Sequence, residues 1–436
     1  MSRVSRGLDR VVVSFDDASL VANAGLLLVA TLVARLGIEA LVNSTLRLGG
    51  RVGGARPGRK VLTLVHMMVA GGSHIDHADL LRSGDSAAVL GHRVMAPSTL
   101  GTFLRCFTFG HVRQLEAVVG RVLERAWQLG AGPGGNALVV DVDSTICEVE
   151  GKKKQGAAYG YTKVLGYHPI LASRADTGEI LHARMRKGSA NTARGARRFI
   201  DELVARLRRA GAVGPIVLRM DSGFWSNETI DRLARLDVRY TMAVRANNKA
   251  VAAVIASIDE GSWTAIDYPE GGEAQVAETM YGGRRLIVRR TRLTDARQLR
   301  LWPNWRHFAF LTDLAGPATD VDAFHRRHAT VELDIRDLKE GAGLEHVPSG
   351  HFFANSAWLQ CALLAHNLIR WSETIAAAPA RAQRVVARTT RLTLLAIAGR
   401  LVNRSGTPTL RGPRNWPWAE LFSQRLAAIR ALPASG

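Results

Sequence analysis

The spacing of apolar residues changes character near residue 137 and changes back near residue 325. Through the first 130 residues the period is helical. Positions 20–34 form an apolar stretch too short for a bilayer span and broken by Asn23 and Thr31, which predicts a buried helix to about residue 36, opened by Asp16, Asp17 and Ser19. Residues 11–15 read as a strand or an arm. Further helices are expected at 61–70, from 73 onward, after Pro97 and Ser98, and at 111–129. The last two have the shape of a helix-turn-helix, and also of any helical pair in a bundle. Gly and Pro at 128–135 mark a boundary. From residue 137 the period becomes two, with strands expected at 137–143, within 159–172, at 180–185, at 214–220 and at 238–244, and an Arg-rich amphipathic helix at 193–210. That order suits a mixed sheet with helices on its faces. Short alternating runs at 263–268, 274–280, 284–290 and 307–312 then predict a β-rich insertion. The helical period returns at 325–339 and 356–375, and again in a tail with helices at 384–401 and 416–432 after a linker at 377–382.

Four acids stand at telling places in these elements. In the first strand Asp141 and Asp143 share a face, because side chains alternate along a strand; the stretch is either a strand running into a turn or half of a metal site. Asp221 ends a second apolar strand and is followed by Ser222 and Gly223, which permit a sharp turn. Glu332 lies in the 325–339 helix, where Val331, Ile335 and Leu338 form an apolar stripe and His325, His328, Glu332, Arg336 and Lys339 fall on a neighbouring face.

These residues resemble the DDE transposases of bacterial insertion sequences, which have a ribonuclease H-like core and two aspartates and a glutamate as catalytic acids. The branch it looks most like carries a helix reading tyrosine, two residues, arginine, three residues, glutamate, six residues, lysine. Glu332 and Lys339 match that pattern, while His325 and His328 stand at the tyrosine and arginine positions. The β-rich run between the second and third acids also matches that branch. The fold expected from the resemblance is α/β: a ribonuclease H-like mixed sheet flanked by helices, with a β-rich insertion and helical N- and C-terminal regions. The expected division is a helical DNA-binding region at 1–130, a core at 136–248 and 319–376, the insertion at 249–318 and a helical region at 383–436.

The resemblance also implies a chemistry. Asp143, Asp221 and Glu332 would hold two Mg²⁺ ions, with Mn²⁺ as substitute: Asp143 bridging, the other two each on one ion, and Asp141 as the alternative to Asp143. Lys339, Arg336, Arg326, Arg327, His325 and His328 are the expected DNA contacts. The partner is double-stranded DNA, both element ends and target, bound by a homodimer in the bacterial nucleoid, with a cut-and-paste route. A DNA-binding relative without catalysis, acting as a repressor, and a different nuclease on the same core remain alternatives.

Composition changes this picture in one respect. Lys and Arg number 58 against 38 acids, a net charge of +20, and most of the basic residues are Arg. Arg keeps its charge and presents a fork that fits phosphate oxygens, so a polyanion is the natural partner. A bias toward Arg codons would explain Arg in place of Lys but not the excess over acids. The Gly-rich basic stretch 48–60 is either a loop along a phosphate backbone or a solvated loop. His74, Asp76, His77 and Asp79 are potential ligands or the start of a helix. Trp302 and Trp305 are expected either in a core or stacked on an unpaired base. The scattered cysteines, Cys106, Cys147 and Cys361, lack zinc-ribbon spacing and fit a reducing cytoplasm. No secretory signal or membrane span is expected.

Overall fold

Alternation from Leu138 onward produces one large sheet. The computed structural model describes residues 8–160, 162–268, 272–293, 305–375 and 385–434. Its strands are β1 (Leu138–Ser144), β2 (Ile170–Arg174), β3 (Ile180–Arg184), β4 (Ile216–Met220), β5 (Val238–Val244), β6 (Thr264–Ile266), β7 (Gly272–Tyr281), β8 (Arg284–Leu293) and β9 (Arg306–Thr312). They lie in the order β6-β7-β8-β9-β5-β4-β1-β2-β3. Only β1 with β4 and β4 with β5 run parallel. Two central parallel strands end at the same edge, so whatever follows them meets there. The β-rich segment between the second and third acids is no separate sheet: β9 pairs with β5 and carries β8, β7 and β6 outward from the core.

Helices cover the sheet. They include α1 (Phe109–Ala126), α2 (Ala196–Ala210), α3 (Asn227–Arg235), α4 (Ala318–Arg326), α5 (Thr330–Gly341) and α6 (Phe352–Thr374). The apolar periodicity of α6 has few polar breaks, and every residue from Ala354 to Ser372 is buried. It packs against β3, α1 and the helix Pro57–Val69, so the N-terminal helices and the sheet share one core. Its amides also seal the sheet edge: Asn367 accepts from Ile180 N and donates to Ile180 O (both 2.8 Å), and Gln360 donates to Ala183 O (3.1 Å). Those β3 backbone groups would otherwise be buried without partners.

Several expectations need correction. The first helix begins only at Leu26, because Asp17 binds Ser19 N (2.9 Å) and Oγ (2.6 Å) and Leu20–Val21 is a short strand. Residues 11–15 form no strand and are exposed, Phe15 completely. The tail at 384–401 is not one helix: Gly399–Arg404 and Thr407–Arg411 form a hairpin around Ser405 (φ 51°) and Gly406 (φ 83°), and its first strand pairs with Leu20–Val21. Lys60, in the basic stretch, is buried and donates to Gly53 O (2.7 Å) and Ala55 O (2.5 Å), so that loop folds around its own lysine. The segment after His74 is the 3₁₀ helix Ile75–Leu81, and the His74 ring stacks on His346 at 3.9 Å. Trp305 stacks on the guanidinium groups of Arg290 (4.6 Å) and Arg292 (4.7 Å), whereas Trp302 and the linker 377–382 lie outside the described residues. Among the described residues no single helix is long and apolar enough to cross a membrane.

Candidate active site

The register of β1 on β4 pairs Val142 with Met220, so the next residues, Asp143 and Asp221, leave the ladder side by side. Each aspartate then holds the turn after it. Asp143 Oδ1 accepts from Ser144 N (2.7 Å), and Asp221 Oδ1 accepts from Gly223 N (2.9 Å). Gly223 is required by contact: a Cβ there would stand 2.7 Å from the Thr192 Cβ. The Ser144 hydroxyl is 3.0 Å from His168 Nε2, whose Nδ1 lies 2.7 Å from Ala190 O.

Glu332 arrives from the other side of the chain. The expected single helix at 325–339 is broken by a 3₁₀ turn, Arg327–Ala329, between α4 and α5. The apolar stripe of Val331, Ile335 and Leu338 is buried, which leaves Glu332 and Arg336 exposed. A cleft of about 490 Å³ lies along this face, lined by Asp143, Ser144, Glu148, Glu332, Arg336 and Lys339 among others. Lys339 Nζ donates to Ile146 O (2.8 Å), which fixes its charge at the cleft wall.

Asp141, the alternative to Asp143, is turned to a different use. It is fully buried, and Arg219 grips it with two parallel bonds, Nε to Oδ1 and Nη2 to Oδ2, both 2.7 Å. His328 Nδ1 lies 2.7 Å from Asp141 Oδ1, and Arg219 Nη1 also donates to Phe324 O (2.9 Å). Both Asp141 oxygens are thus occupied by protein. Two of the expected DNA contacts also face inward, and a third is exposed but paired. His328 is on Asp141; His325 lies 2.7 Å from the Thr241 hydroxyl and stacks on Phe310; Arg326 donates to the buried Asp322 (2.9 Å). Burial pushes the His325 imidazole down to about 3, with His328 and Arg219 adding to the shift, so it stays neutral. Arg327 and Arg336 are exposed and make no ion pair among the described residues. Arg219 had a signal in the sequence that went unread: one arginine in an otherwise apolar strand, two places before an acid, as Asp141 is two places before Asp143.

Asp143 feels the other two acids. Burial lifts the Asp143 carboxyl to about 6, and the charges of Asp221 and Glu332 push in the same direction against the Ser144 amide and His328. Among the described residues no three His, Cys, Asp or Glu side chains converge as a ready-made ion cage. The donor chemistry nevertheless fits a hard divalent cation: carboxylate oxygens, surplus negative charge, and one acid whose ionisation is suppressed by burial and by neighbouring acids.

A family model described as transposase DDE domain group 1 matches residues 5–434. No curated protein matches the chain. Among solved structures, the piggyBac transposase synaptic complex with hairpin DNA is similar, with a TM-score of 0.47 and 13% identity over 86% of this chain and 80% of that one.

Proposed function

We propose, from the premise that this chain belongs to the group 1 transposase DDE domain family, that it cuts the ends of a mobile element and joins them to target DNA at Asp143, Asp221 and Glu332. By family it is a DNA transposase. The observation that carries the residue assignment is the register that sets Asp143 beside Asp221, together with the cleft that Asp143 and Glu332 both line. Carboxylates brought within each other's field are costly unless a cation is to be held. Asp143, Asp221 and Glu332 would hold two Mg²⁺ ions, or Mn²⁺ in their place, which when bound supply neutralisation of phosphate charge and a more acidic attacking oxygen. Arg336 and Arg327 present exposed guanidinium forks to the phosphates, and Lys339 adds a fixed positive charge beside the scissile position.

The route we assign is cut-and-paste. Water attacks a phosphodiester at the element end and the 3′-oxygen leaves; that 3′-hydroxyl then attacks a target phosphodiester and exchanges one ester for another. Paired ends call for paired active sites, so a homodimer in the synaptic complex is part of the proposal, as are DNA recognition by the N-terminal helices and action in the bacterial nucleoid. The test uses duplexes carrying the DNA that flanks the reading frame. Asp143→Asn, Asp221→Asn and Glu332→Gln should each lower Mg²⁺-dependent cleavage by roughly 10³-fold or more, with DNA still bound. Wild-type cleavage by any one of them removes that residue from the site; binding without cleavage by the unaltered chain would leave a repressor.

A further inference from the structure

We infer that Asp141, Arg219 and His328 form a positioning triad beneath the three acids, setting where Asp143, Asp221 and Glu332 stand relative to one another; this rests on the catalytic reading above. Each member sits on the element that carries one acid or directly beside it, two residues before the acid on the strands and four before it at the helix joint. Asp141 is two residues before Asp143 on β1, and Arg219 is two before Asp221 at the end of β4. His328 is four residues, about one turn, before Glu332 at the joint of α4 and α5. The contacts among the three therefore fix the geometry of the layer above.

The bonds suit that role. Asp141 and Arg219 are partners across the parallel ladder, and their paired 2.7 Å bonds permit neither sliding nor rotation of β1 on β4. Both Asp141 oxygens accept from Arg219, so at the 2.7 Å contact it is His328 Nδ1–H that donates. Arg219 reaches past it to Phe324 O, and thus holds the end of α4 as well. Packing alone does not ask for this. The rest of β4 is Ile216, Val217, Leu218 and Met220, all buried, and a buried ion pair seldom stabilises a fold more than apolar residues of similar volume. Direction is what charge adds here. The arrangement also accounts for histidine at the signature's arginine position, where a second guanidinium beside Arg219 would crowd one aspartate with two permanent cations.

The test uses the full chain and reads Mn²⁺ binding by electron paramagnetic resonance, cleavage of the flanking-DNA duplex, duplex affinity and unfolding temperature. His328→Ala should weaken Mn²⁺ binding and slow cleavage roughly tenfold or more, with duplex affinity unchanged. His328→Asn keeps an N–H where Nδ1 stands and should restore both; His328→Gln places its amide one bond further out and should not. This Asn–Gln comparison decides the matter even if the alanine variant does not fold. Equal Mn²⁺ affinity and cleavage in the Asn and Gln variants, at any level, overturns the triad, as does a loss of duplex affinity with Mn²⁺ binding intact, which makes His328 a phosphate contact. Glu332→Gln separates the two ideas: Mn²⁺ binding unmoved by it sinks the catalytic reading, whereas binding weakened by it but not by His328→Ala sinks only the triad.

Discussion

Asp143 carries the chemical tension of the site. Its carboxyl is raised from an ordinary 3.8 to about 6, first by burial and then by Asp221 and Glu332. A raised acid binds its proton more tightly in the folded state, so the metal-free protein loses stability as pH climbs from about 4 to about 6, and the loss is complete above that. Asp143→Asn should therefore stabilise the metal-free chain at pH 7.5 by on the order of 1–3 kcal/mol, a gain that shrinks as pH falls to 5, measured by urea unfolding. A constant difference across that range would place the raised ionisation elsewhere. At this scale the sequence was partly legible. Alternation delivers Asp143 and Asp221 to strand ends, but the same alternation puts Asp141 beside Asp143 and cannot separate them. What separates them is Arg219 across the ladder, and register between strands is a property of the folded sheet. His325 and His328 bond Thr241 and Asp141, because a face that looks polar in sequence can look inward at another polar group.

Elements were legible wherever period and length agreed. Strands β1, β3, β4 and β5 and helices α2 and α6 follow their predicted positions closely, since each carries a sustained apolar pattern. The C-terminal hairpin was missed although Ser405-Gly406 between alternating residues is a turn signal; the many arginines of that region also suit a helix. The attachment of β9 to β5 was not legible, because nothing local says which edge a strand will join. The role of α6 at the β3 edge gives a prediction of its own. Asn367→Leu leaves the Ile180 N–H and C=O buried without partners, and should cost about 2–4 kcal/mol in chemical unfolding. A change below 0.5 kcal/mol would mean the edge finds other partners.

Across the whole molecule, the surplus of positive charge and the long-range ties matter most. Duplex affinity should fall steeply between low and physiological salt, as phosphate contacts release counterions; affinity independent of salt would contradict an interface built on Arg. The C-terminal segment is also joined to the site's frame. Asp337 of α5 accepts from Arg370 (2.6 Å) and from Ala387 N (2.9 Å), and Arg391 donates to Gly341 O (2.6 Å) and Val69 O (2.9 Å). Arg391→Met should thus lower stability by about 1–3 kcal/mol and slow cleavage, although it lies in the tail.

The pairing of Leu20–Val21 with Gly399–Arg400 has a consequence in time. A ribosome adding roughly 5–20 residues per second would expose the first of these strands on the order of 20–80 s before the second. Until residues 399–400 emerge, Leu20–Val21 has only the Asp85 amide on Leu20 O and no strand to pair with. A product stopped before residue 399 would carry all three acids and still lack this pairing of Leu20–Val21.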